Sequence, residues 1–195
     1  MNEHTRASGM NEDRHAYSTL AIGLHWLVFA LVVGNWLLGP YMADLPLSPQ
    51  KLRYFSWHKW IGVTVFLLAV FRLAWRVSHR PPPLPVAMPH WQRHLARASH
   101  FALYLLILAI PLSGWLYSSA TGVPTVYLGW VQLPDLVGRD KALAEFLKQA
   151  HIVLNTTLLA VVVIHVAAAL KHHFVDHDEV LARMLPFMGR SGDRQ

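Results

Sequence analysis

Between Lys148 and His173 the chain reads KQAHIVLNTTLLAVVVIHVAAALKHH, an apolar run long enough to cross a bilayer. About 20 predominantly apolar residues span the hydrocarbon core of a membrane as a helix. Within the run, His151 and His165 lie 165 − 151 = 14 positions apart. At about 1.5 Å and 100° per residue, that spacing puts both rings on nearly one helix face, about 21 Å apart along the axis. No single ion can be held by both rings, so the run points to two separate centres stacked through the membrane.

Three further apolar runs are long enough to span: Thr19 to Leu38, Tyr54 to Val77 and Ser99 to Ser119, with the fourth at Lys148 to Leu170. Proline-bearing connections, PYMADLPLSPQ and SHRPPPLPVAMPHWQRH, separate the first three, because proline clusters cannot continue a helix. The longer TGVPTVYLGWVQLPDLVGRDKALAEF joins the third to the fourth. Tyr41, Tyr54, Trp57, Trp60, Trp75, Trp91, Tyr117 and Trp130 gather near the span ends, as an aromatic belt does. The expected fold is all-α, a transmembrane four-helix bundle over residues 18–172, with a polar tail at 1–17 and a second tail at 173–195. The first run is too long for the apolar part of a signal peptide, and no cleavage pattern closes it, so none is expected.

Composition narrows the chemistry. Of 195 residues, 54% are hydrophobic and 14% charged, too apolar for an ordinary soluble domain. The chain has 13 histidines and no cysteine. It therefore has no thioether-attached haem, cysteine-ligated iron–sulfur cluster, zinc–thiolate site or disulfide, and histidine is the best ligand for a non-covalently bound redox group. The net charge of +6 does not point to nucleic acid, because the basic residues sit mostly at the ends of apolar runs. Arg6, Arg14, Arg76, Arg80, Arg93, Arg97, Lys171, Arg183, Arg190 and Arg194 fall on one side, against Lys51, Arg53, Arg139, Lys141 and Lys148 on the other. Ten against five places both termini in the cytoplasm.

This topology gives each histidine a depth. His25 and His165 lie about two turns from the cytoplasmic ends of spans one and four; His58 and His151 match each other near the outer side. Two rings at one depth on facing helices suit bis-histidine haem ligation, and the chain supplies the arrangement twice. Any one such histidine is more often a packed core residue. Four in two matched pairs, at depths where ionisable groups are costly, favour iron. Gly62, one turn after His58, gives a porphyrin room to approach, as do Ala168 and Ala169 beside His165; Asn155 is a candidate partner for the His151 ring. Arg72, 72 − 58 = 14 positions after His58, lies at the depth of the cytoplasmic pair and, with Arg76, suits a haem propionate. Snorkelling to the headgroups is the plainer alternative. Lys59 stands in the same relation to the outer pair. His100 and His172 are candidates for a propionate or a quinone oxygen, or are simply interfacial residues.

These segments resemble the bacterial cytochrome b561 family (the prokaryotic b561 and nickel-hydrogenase cytochrome b type). They are AIGLHWLVFAL, SWHKWIG, FRLAWR, SHFALYLLILAIPLSGWL and HIVLNTTLLAVVVIHVAAALKHHFVDHDEVLARMLP, together nearly the whole chain beyond the first tail. The resemblance implies an inner-membrane, multi-pass cytochrome whose four haem ligands match His25, His58, His151 and His165. It also implies two haem b groups and ubiquinone as acceptor. One member is a superoxide oxidase, which passes electrons from superoxide at the outer face to ubiquinone. The lysine after His58 and the long third connection look closer to a sister subgroup. Two other roles stay open: a membrane anchor relaying electrons to or from a separate periplasmic dehydrogenase or hydrogenase, and a histidine-lined transporter.

Overall fold

The structure, a computed structural model, describes residues 17–79, 81–83, 85 and 88–185; nearly all of the N-terminal tail and the end of the C-terminal one lie outside the described residues. Among the described residues four helices are each long and apolar enough to cross a membrane: α1 (Thr19–Asp44), α2 (Pro49–Ser78), α3 (His90–Thr121) and α4 (Lys141–Phe174). Side-chain oxygens of Ser18, Ser48 and Asp140 accept from the free N–H groups of Ala21, Lys51 and Leu143, fixing where α1, α2 and α4 begin. Pro49 stands in the first turn of α2, and Gly122, at φ 74°, closes α3 in the left-handed conformation that glycine adopts freely.

Every helix outruns its expected span at one end or both. The clearest case is α4, which starts at its Asp140 cap rather than at Lys148. Hydropathy reports where lipid ends, whereas backbone hydrogen bonds continue into the headgroups and beyond. An even number of spans returns both ends to one side, the side that the basic residues mark as cytoplasmic.

The helices pack in chain order, α1 on α2, α2 on α3 and α3 on α4, while α1 and α4 barely touch. Among the described residues no large side chain is fully buried, and the one compact cluster, Ala120, Ala144 and Leu147, lies at the outer end between α3 and α4. Lipid tails are as apolar as leucine, so nothing forces the helices to close on one another. The interior keeps width between α4 and the pair formed by α1 and α2.

Two features depart from plain helices and tails. The third connection holds a hairpin, β1 (Val126–Tyr127) and β2 (Val131–Gln132), with Val126 opposite Gln132 and Tyr127 opposite Val131. Leu128 (φ 53°) and Gly129 (φ 79°) turn it, and the Trp130 N–H donates to the Tyr127 carbonyl at 3.1 Å. Left-handed backbone costs a leucine about 1–2 kcal/mol. Two-residue strands are too short to show as alternation in a sequence.

Past α4 the chain folds back. Lys171 Nζ donates to both Asp176 oxygens at 2.6 and 2.8 Å, and His172 Nδ1 lies 2.7 Å from Asp178 and 3.1 Å from Asp176. The Lys171 hydrogen bond holds the Asp176 carboxyl below its ordinary range. A 3₁₀ turn (Ala182–Met184) follows, where the Met184 carbonyl accepts from Trp26 Nε1 at 2.8 Å. The first part of the expected tail is thus fastened under α1.

Candidate functional site

A cavity of about 300 Å³ opens in the outer half of the bundle, its wall including Asn35, His58, Lys59, Gly62, His151 and Asn155. His58 from α2 and His151 from α4 face each other there, ring centroids 6.2 Å apart and planes at 75°. A histidine nitrogen binds a first-row metal at about 2.0–2.1 Å; adding the distance from nitrogen to ring centre on each side puts two opposed imidazoles roughly 6 Å apart. The observed centroid separation of 6.2 Å is close to that figure.

The rest of the seat comes from α3. His151 Nδ1 lies 3.1 Å from the Ile110 carbonyl and 2.9 Å from Ser113 Oγ, and the Ser113 hydroxyl donates to the same carbonyl at 2.7 Å. A carbonyl only accepts, so Nδ1 carries the ring hydrogen and Nε2 keeps its lone pair for a ligand. A Cβ at Gly114 would stand 3.2 Å from His151 Cε1, a tight contact that would push the ring by a few tenths of an ångström. Opposite, a Cβ at Gly39 would be 3.6 Å from His58 Cε1. His58 Nδ1 and Asn35 Oδ1 are buried without a well-formed hydrogen bond. Gly62 leaves its wall open, with only Asn35 Nδ2 within reach of an added Cβ, at 3.9 Å.

Two of the expected partners have other work. Asn155 Nδ2 donates at 2.7 Å to the backbone carbonyl of His151, one turn back, and not to its ring. A helical side chain leans toward its own preceding turn, which puts that carbonyl within reach and the ring beyond it. Lys59 lines the cavity, but its Nζ donates to the Val123 and Pro124 carbonyls at 3.3 and 3.4 Å.

At the cytoplasmic end the structure gathers His25, His100 and His165 with Arg72 and Arg76. The His100 and His165 ring centroids are 5.4 Å apart. An Arg72 nitrogen lies 2.9 Å from His25 Nδ1. A guanidinium only donates, so here Nδ1 accepts and the neutral ring carries its hydrogen on Nε2. The tautomer is the reverse of that at His151. Both guanidinium groups also rest against Tyr104, at 5.6 and 5.8 Å from its ring centre. Among the described residues neither arginine has a carboxylate partner. A second cavity of about 360 Å³, lined by Tyr17, Arg72, Trp75, Arg76, Tyr104 and Met184, opens beside them. Two cations without anions at this depth suit an anionic group.

Ser113, Gly114, Gly39, Asn35 and Tyr104 join the sites without any strong mark in the sequence. Ser113 leaves a faint signal, a lone hydroxyl in the apolar AIPLSGWL. The others become visible only once a neighbouring helix is in place.

Comparison with known proteins gives one consistent result. The family described as prokaryotic cytochrome b561 matches residues 16–187. Cytochrome b561 homolog 2 of Escherichia coli (strain K12) is 38% identical over 177 residues, covering 87% of this chain and 90% of that protein. Probable superoxide oxidase CybB of Yersinia pestis is 31% identical over 173 residues, 87% of this chain and 96% of that protein. Cytochrome b561 homolog 1 of E. coli is 27% identical over 171 residues, with 87% and 97% covered.

Proposed function

The chain belongs to the prokaryotic cytochrome b561 family of inner-membrane electron carriers, and from that membership we propose that it holds two b haems and passes single electrons from the periplasmic side to ubiquinone. The observation that carries the reading is the His58–His151 pair, opposed at 6.2 Å across a cavity in the outer half of the membrane. His25 and His165 serve the cytoplasmic haem. They come from α1 and α4, helices that make little contact with each other. His100 and His165 stand on directly packed helices, and His100 is a neighbour of that site, not a ligand. Bound at these places, haem supplies a one-electron carrier near each membrane face.

The protein's own groups set the rest. The Ile110 carbonyl and Ser113 hold His151 with Nε2 free, the outer-shell orientation that metal-bound histidines use. To hold haem iron through Nε2, His25 would have to lose the Arg72 contact and carry its ring hydrogen on Nδ1 in place of Nε2; Arg72 and Arg76 would then be free to hold propionate carboxylates. At the outer mouth Lys51, Arg53 and Lys59 raise the local concentration of anions even where their amines are held by carbonyls, as Lys51 is by Ala43 and Leu45. Superoxide suits such a mouth, and a relative bears the name of a superoxide oxidase.

The test is direct. Purified protein in quinone-containing vesicles is given enzymatically generated superoxide from outside, and haem reduction and quinol formation are followed. Reduction by superoxide alone is expected. Quinol formation that needs an added dehydrogenase subunit would establish the anchor role, and a preparation without a Soret band would remove the haem reading. Ser113→Ala should lower affinity for the outer haem by about 10-fold, the usual cost of losing a partner of a ligating histidine, as read by haem titration into depleted protein. Unchanged affinity would leave Ser113 no orienting role.

A further inference from the structure

We propose that the hairpin of the third connection is seated in the outer leaflet, its tip of Leu128, Gly129 and Trp130 inserted among lipid headgroups and upper acyl chains. Residues 122–134, GVPTVYLGWVQLP, contain no charged residue, whereas Asp135, Arg139, Asp140 and Lys141 follow at once. A connection bathed in water has no reason to exclude charge over such a length. Its tip is nevertheless bare of protein: Trp130 is 90% exposed, Val131 56% and Leu128 53%.

The hairpin is also tied to the part of α2 that enters the bilayer. Trp60 Nε1 donates to the Val126 carbonyl at 2.7 Å, and the Thr64 and Tyr127 hydroxyls meet at 2.9 Å. Lys59 holds the two carbonyls just before it, those of Val123 and Pro124. These anchors follow Arg53, Tyr54 and Trp57, the residues that mark the membrane boundary on that helix. The tip therefore lies at headgroup level, where an indole is most at home. A left-handed leucine in a tight three-residue hairpin loop, where asparagine or glycine is usual, makes sense if its side chain faces lipid. A second copy of the chain is the rival occupant. A stable protein interface takes some 20–30 residues a side, far more than this tip presents.

The seat bears on the cavity. Val123 and Thr125, at the root of the hairpin, form part of the wall around His58 and His151. Lipid contact at the tip steadies that roof.

The absence of cysteine makes the test clean. Val131→Cys and Leu128→Cys, each keeping Trp130, and Gly138→Cys in the charged flank are spin-labelled in the full chain and placed in lipid nanodiscs. Collision with oxygen, which concentrates in lipid, is compared with collision with a water-soluble nickel chelate. Oxygen should dominate several-fold at 128 and 131 and the chelate at 138, and Trp130→Asp should raise chelate access at 131. Chelate access at 128 and 131 equal to that at 138 would overturn the proposal. So would shielding from both reagents with spin–spin broadening between chains, which would identify a second copy as the occupant.

Discussion

His151→Ala is expected to lose one of two haems per chain and with it electron transfer across the membrane. The ring supplies one of the two opposed imidazoles and is the better oriented of them, fixed by the Ile110 carbonyl and Ser113. His58 alone would face the cavity with its Nδ1 buried and poorly bonded, too little to retain the macrocycle. Pyridine haemochrome content should fall by half, and the remaining haem should keep its spectrum, because His25 and His165 lie some 21 Å along the bundle axis, about 14 residues of helix. Content at the level of the unaltered chain would show that the pair does not bind iron. His165→Ala should produce the complementary loss, leaving the outer haem.

Arg72→Leu should lower the midpoint potential of the cytoplasmic haem by about 50–100 mV and leave the outer one within a few tens of millivolts. A unit positive charge at about 8 Å in a medium of effective dielectric near 20 contributes roughly 2 kcal/mol, and a tenfold change in a one-electron equilibrium is about 59 mV. The sign follows from charge: removing a cation favours the oxidised, more positive iron. Arg72→Lys should keep most of the potential, since it keeps the charge and loses only the planar fork that reaches His25 and Tyr104. A redox titration resolving the two haems decides the matter, and equal shifts in both would contradict the placement of Arg72 at the cytoplasmic end.

Much of the fold is legible along the chain, for a definite reason. In lipid every backbone group must be satisfied within its own helix, so an apolar run of sufficient length becomes a span, and proline clusters mark the breaks. The limits of such legibility show at particular residues. Asp140 starts α4 a turn or more before the apolar stretch because capping, not hydropathy, ends a helix. The hairpin at Val126–Gln132 exists because Trp60 and Thr64 hold it, and neither is near it in sequence.

The histidines divide in the same way. Helical rise is constant, so position along a span fixes depth, and four histidines sort into two levels by their numbering alone. Rotation of one helix against another depends on side chains from both. The sequence by itself therefore determined the number of spans, their sidedness and the depth of each ring. Only the tertiary structure decided that His58 meets His151 at 6.2 Å, that Ser113 and not Asn155 reaches the His151 ring, and that Arg72 rests on His25. Depth is a property of one helix; a meeting belongs to two.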